Sequence, residues 1–114
     1  MDINRYTPSY TINKTHMTKL LCYTTEELFE ILYAVKTMKA KFHAHENTKI
    51  LNDSTVALLF NDTSLRTRTA IQIGVNQLGG HCIDLQYSEA DMKAGENIKD
   101  ILRVISLYGV GAII

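Results

Sequence analysis

The chain has 114 residues, enough for one small domain and too few for two. Lys+Arg is 12 and Asp+Glu is 12, so the formal net charge is +0; no global attraction draws the chain to nucleic acid or an anionic membrane, although a local cluster can still hold one anion. A 46% hydrophobic and 21% charged composition fits a soluble globular domain, and no apolar run approaches the ~20 residues of a membrane helix.

Residues 1–16 are polar, hold the only proline (Pro8) and show neither helical nor alternating apolar periodicity. They read as an extension with little structure of its own, with Met17 as an alternative start. No charged patch leads into an apolar core, as a secretory signal requires, and no Arg-rich amphipathic pattern marks a transit peptide. Cys22 and Cys82 form no C-x-x-C pair, so free thiols in a cytoplasmic protein are expected.

Thr24 lies three residues before Glu27, the spacing of a capping box, and Tyr23 and Leu28 take the staple positions. Leu28, Ile31, Leu32, Val35, Met38 and Phe42 follow at helical spacing, which predicts an amphipathic packing helix. The continuous apolar run Thr55–Phe60 predicts a strand buried on both faces, as in a parallel sheet. After the polar loop Asn61-Asp62-Thr63-Ser64, a helix extends to Leu78 with Ile71, Val75 and Leu78 on one face, and Gly79-Gly80 ends it. His81–Leu85 is a second strand and Gln86–Gly95 a polar loop. Asn97 caps a third helix with Ile98, Ile101, Leu102, Ile105 and Tyr108 on its face; Gly109 stops it, and Val110–Ile114 is a third apolar strand. The order α-β-α-β-α-β predicts an α/β fold: an open parallel sheet with helices on both faces and right-handed crossovers. Such sheets bind ligands beyond the carboxyl ends of their strands.

Residues 60–69 place their chemistry at that position. A helix N-terminus offers free N–H groups and the positive end of a dipole, Ser64 and Thr67 add hydroxyls, and Arg66 and Arg68 add guanidinium forks suited to phosphate or carboxylate. Two cations in a first turn oppose the dipole, and a bound anion would resolve the conflict. The alternative is that both arginines pair with local acids such as Asp62 or lie solvated. Neither G-x-x-x-x-G-K-[ST] nor G-x-G-x-x-G is present. His43-Ala44-His45 lacks a third nearby ligand and reads as surface histidine, so no metal is expected. Glu89 and Asp91 read as solvated loop acids, and Cys82 as a small buried residue.

Ser64-Leu65-Arg66-Thr67-Arg68 resembles the Ser-x-Arg-Thr-Arg signature of the aspartate/ornithine carbamoyltransferases. The ordered surroundings agree: the strand ending in Phe60, Gln77-Leu78-Gly79-Gly80-His81, and Gly95-Glu96-Asn97-Ile98-Lys99-Asp100. The resemblance covers residues 17–114, as the carbamoyl-phosphate-binding domain, incomplete and without the family's second, amino-acid-binding domain. It implies that Ser64, Arg66 and Thr67 hold the phosphate of carbamoyl phosphate with backbone N–H groups at Leu65, that Arg66 is catalytic, and that Arg68 braces the loop. Leu65 replaces the common Thr, which removes a hydroxyl and keeps the backbone contact. Lys93, in the segment corresponding to the one that reaches a neighbouring subunit, is the candidate inter-subunit contact; a solvated lysine is the alternative.

The implied reaction is transfer of a carbamoyl group to an amine with release of phosphate, without cofactor or metal, in a homotrimer. Ornithine is the first choice of amine, with aspartate, putrescine and acylated ornithines open. The family's downstream arginine and His-Pro-x-Gln segment are missing, so an inactive isolated chain is expected, and a non-catalytic phosphate-binding or assembly module is the competing reading. The apolar strand at the end of the sequence further suggests a truncated, poorly stable monomer.

Overall fold

A computed structural model describes residues 2–9, 11–60, 64–95 and 97–114, with only the backbone of residues 89 and 90. The predicted loop residues Asn61, Asp62 and Thr63, and Glu96 of the third helix opening, lie outside the described residues. The chain divides into two units, Met1–Asn47 and Thr48–Ile114.

The first unit is built on helix α1 (Thr25–His43), preceded by a 3-10 turn at Leu20–Cys22 that the sequence did not suggest. The capping box forms as its spacing requires: Glu27 N–H donates to Thr24 Oγ1 at 3.2 Å and Thr24 N–H donates to Glu27 Oε2 at 2.8 Å. Lys14 Nζ reaches both oxygens of the same carboxylate at 2.6 Å. These donors hold the Glu27 carboxyl below the usual carboxylate range, Lys14 contributing most. At the other end His45 adopts φ 56 and closes a Schellman turn, with His45 N–H on Phe42 O and Glu46 N–H on Lys41 O. His45 therefore has a backbone task at the helix stop.

Residues 2–5 form a turn, Arg5 N–H on Asp2 O, and several residues of the N-terminal segment bond to side chains of α1. Tyr6 Oη donates to Glu30 Oε1 at 2.7 Å, Ser9 N–H donates to the same oxygen at 2.7 Å, and Lys36 Nζ donates to Asn4 Oδ1 at 2.8 Å. The Tyr6 ring sits 5.6 Å from Phe29 and 6.1 Å from Tyr33. Donation to Glu30 pushes the Tyr6 phenol up to about 12. Of the apolar face read from periodicity, Leu28, Ile31 and Met38 are half-buried, while Leu32, Val35 and Phe42 are exposed.

The second unit is an α/β fold with a three-stranded parallel sheet in the order β2-β1-β3. Strand β1 is Thr55–Phe60, helix α2 Leu65–Gln77, strand β2 His81–Gln86, helix α3 Glu89–Lys93, helix α4 Ile98–Leu107 and strand β3 Ala112–Ile113. β1 is central, which explains its unbroken apolar run: Val56, Ala57 and Leu58 are buried. Thr55 pairs with His81 and Phe60 with Gln86 in one continuous register. β3 pairs through Val56–Ala112 and Ala57–Ile113, and Gly111 and Ile114 extend the bonding beyond the strand proper. Val56, Leu58 and Val75 form the core, with Leu51, Phe60, Ile71 and Cys82 packed on it. Those residues place α2 against the face of the sheet that carries alternate residues of β1 and β2.

Glycine is required where α2 stops. Gly79 has φ +87 and Gly80 follows in a full Schellman arrangement, Gly79 N–H on Asn76 O and Gly80 N–H on Val75 O. A Cβ on Gly79 would meet Asn52 Oδ1 at 2.5 Å, and one on Gly80 would meet Ser54 O at 3.2 Å. The pair lets the loop before β1 lie against the end of α2. The expected loop at Gln86–Gly95 contains α3, started by Ser88 and Asp91. Ser88 N–H and Oγ donate to Asp91 Oδ2 at 2.6 and 2.8 Å. These bonds hold the Asp91 carboxyl below its usual range, so Asp91 is a capping acid rather than a solvated loop acid.

Candidate functional site

The sheet order fixes where a ligand fits. The chain leaves β1 for β2 on one side and then returns past β1 to β3 on the other. Right-handed crossovers in opposite directions put α2 and α4 on opposite faces, and the carboxyl end of β1, beside β3, becomes the topological switch point. Helix α2 begins five residues past the last residue of β1, and Ser64–Arg68 open it.

Ser64 is the N-cap residue of α2 at φ −70, ψ 70, and Arg68 N–H on Ser64 O at 3.0 Å closes the first turn. The backbone N–H groups of Leu65, Arg66 and Thr67 therefore lie at the helix start, where intrahelical acceptors are missing. No acid lies in that first turn. Leu65, Arg66 and Thr67 are all exposed, Leu65 at 73%. Among the described residues Arg66 has no ion-pair partner. The positive end of the helix and a guanidinium with no ion-pair partner among the described residues thus share one exposed turn, an arrangement suited to a tetrahedral or planar anion.

Arg68 behaves differently. Its side chain is 17% exposed, Nε lies 3.4 Å from Asp84 Oδ1, and the guanidinium carbon lies 5.5 Å from the Phe60 ring centroid. The structure therefore brings Ser64, Leu65, Arg66 and Thr67 together on one open turn and sends Arg68 inward. Lys93 is the exposed last residue of α3. Sequence reasoning missed Asp84 as the partner of Arg68, because the pairing joins β2 to α2 and leaves no local spacing to read. It also missed the Ser88–Asp91 cap, which does carry a signal: Ser-x-x-Asp before a helix.

Among the described residues there is no group of three or more His, Cys, Asp or Glu side chains able to hold a metal ion, and no helix long and apolar enough to cross a membrane. Cys22 is exposed and Cys82 half-buried, and neither is in a disulfide.

Residues 15–114 match the family model described as the aspartate/ornithine carbamoyltransferase, carbamoyl-P binding domain. The ornithine carbamoyltransferase of Syntrophotalea carbinolica is 39% identical over 97 residues, covering 82% of this chain and 32% of that protein. That of Aquifex aeolicus is 38% identical over 89 residues, covering 78% and 28%. The ornithine carbamoyltransferase structure from Pyrococcus furiosus superposes with a TM-score of 0.73 at 35% identity, over 83% of this chain and 30% of that one. The chain thus spans about a third of the length of these relatives.

Proposed function

Given that this chain belongs to the aspartate/ornithine carbamoyltransferase family, we propose that its Ser64–Arg68 turn binds carbamoyl phosphate for transfer of the carbamoyl group to an amine. The observation that carries this is the position of Ser-x-Arg-Thr-Arg: at the carboxyl end of β1, at the switch point, opening a helix whose first turn contains no acid. The phosphate would take the N–H groups of Leu65, Arg66 and Thr67, the hydroxyls of Ser64 and Thr67, and the Arg66 guanidinium.

In the reaction the amine nitrogen forms a bond to the carbonyl carbon of carbamoyl phosphate. The bond from that carbon to the bridging oxygen breaks, phosphate leaves with the electron pair, and the nitrogen loses a proton. Charge gathers on the departing phosphate, and Arg66 stabilises it there without any reorganisation at the moment of reaction. Holding the anion by backbone groups of a helix anchored on a buried strand supplies the positioning.

Ornithine is the proposed amine, supported by the relatives named ornithine carbamoyltransferase. The groups that select it are placed outside this domain, in the family's amino-acid-binding domain. A homotrimer in the cytoplasm, with Lys93 reaching a neighbouring subunit's site, completes the proposal; the exposure of Lys93 at the end of α3 supports that contact.

Amide chemical shifts test the reading directly. Titration with carbamoyl phosphate should move the Leu65, Arg66 and Thr67 resonances together and saturably, with inorganic phosphate moving the same set. Shifts scattered over the chain, with no saturation at these three, would contradict it.

A further inference from the structure

Apolar contact anchors α2 from its second turn onward, through Ile71 and Val75. Its first turn has no such anchor, since Leu65 is 73% exposed. What reaches the sheet from that turn is Arg68. Its buried Nε faces Asp84 Oδ1 at 3.4 Å, and its guanidinium lies over Phe60, the last residue of β1. The other oxygen of Asp84, Oδ2, accepts from Gln72 Nε2 at 3.3 Å. Gln72 is four residues beyond Arg68 and so one turn along the same helix face. Asp84 itself stands opposite Leu58 in the β1–β2 register, on the face that α2 covers. One carboxylate on the neighbouring strand is thus held from two positions of the helix.

We propose that Asp84, oriented by Gln72, is a positioning residue that fixes Arg68 and through it the first turn of α2, where Ser64, Arg66 and Thr67 lie. The two arginines then divide the work. Asp84 neutralises Arg68 inside the fold, and Arg66 keeps its charge for an anion. The functional half of this inference rests on the carbamoyl-phosphate reading above; the structural half does not.

The test uses the full 114-residue chain and two readouts: hydrogen exchange at the Arg68 amide, whose bond to Ser64 O closes the first turn, and calorimetric binding of carbamoyl phosphate. Asp84→Asn should speed Arg68 amide exchange by about fivefold, the size expected for losing one partly buried ion pair, and weaken binding by a similar factor. The Leu59 amide, bonded to Ile114 O, should keep its protection, which separates a loosened turn from a loosened sheet. Gln72→Ala should act in the same direction with a smaller effect. On an Arg68→Met background Asp84→Asn should add little, because the pair is already broken. Arg66→Ala should weaken binding at least tenfold and leave Arg68 exchange unchanged. If Asp84→Asn and Gln72→Ala leave both readouts at wild-type values while Arg66→Ala weakens binding at least tenfold, the positioning role is overturned and the phosphate site stands. If exchange rises in Asp84→Asn but wild type binds no carbamoyl phosphate, the brace stands and the phosphate reading falls.

Discussion

Gly79→Ala offers a controlled measurement of how the end of α2 is locked to the loop before β1. Gly79 and Gly109 have nearly equal left-handed angles, φ +87 and φ +81. They differ in surroundings: a Cβ on Gly109 meets nothing within 4 Å, whereas one on Gly79 meets Asn52 Oδ1 at 2.5 Å and Lys49 Cδ and Cβ at 3.0 and 3.2 Å. The left-handed backbone costs an alanine about 1–2 kcal/mol at either site, offset by about 0.4–1 kcal/mol from a less mobile unfolded chain. Gly109→Ala should therefore destabilise by at most about 1.6 kcal/mol. At Gly79 the Asn52 amide must also rotate and the Lys49 stem must yield near its backbone, adding about 1–2 kcal/mol of off-rotamer and packing strain. Urea denaturation of both variants reads the difference as a shift in midpoint at unchanged slope. Equal costs at the two positions would refute the packing of Gly79 against Asn52 and Lys49.

Two further outcomes follow from ionisable groups. Glu27 has a lowered folded pKa, so its contribution is fully present above the ordinary carboxylate range and is lost as pH falls through the folded value. Glu27→Gln should lower stability at neutral pH and flatten the acid limb of a stability–pH profile; an unchanged limb would refute the role given to Lys14 and Thr24. Burial, with the Asp84 charge adding to it, pushes the Cys82 thiol up, whereas Cys22 is exposed. A disulfide reagent at neutral pH should label the two thiols in separate phases, Cys22 fast and Cys82 slow, and peptide mapping that finds the reverse order would contradict the partial burial of Cys82.

The elements written in local spacing could be read directly. Thr24 and Glu27 are three residues apart, Asn97 accepts from Lys99 N–H as an N-cap, and the apolar Thr55–Phe60 run is the central strand. Each depends on neighbours in sequence or on one residue's burial. What could not be read depends on partners far along the chain. Tyr6 lies 24 residues from Glu30, and that separation hides the use of α1's Phe29 and Tyr33 by the N-terminal segment. Arg68 and Asp84 belong to different elements, so no local spacing pointed from the arginine to its partner. Periodicity alone also gave α1 a continuous apolar face, although Leu32 and Val35 are exposed. A moment in the sequence says which residues could pack, and not what is present to pack against them.

The central claim is that the first turn of α2 holds carbamoyl phosphate with Arg66 as its principal cation. Calorimetric titration of the 114-residue chain and of Arg66→Ala with carbamoyl phosphate tests it most directly. Loss of a charge-assisted contact of about 1.5–3 kcal/mol should weaken binding at least tenfold in the variant. Equal affinity in the two proteins, or binding by neither, would contradict the assignment.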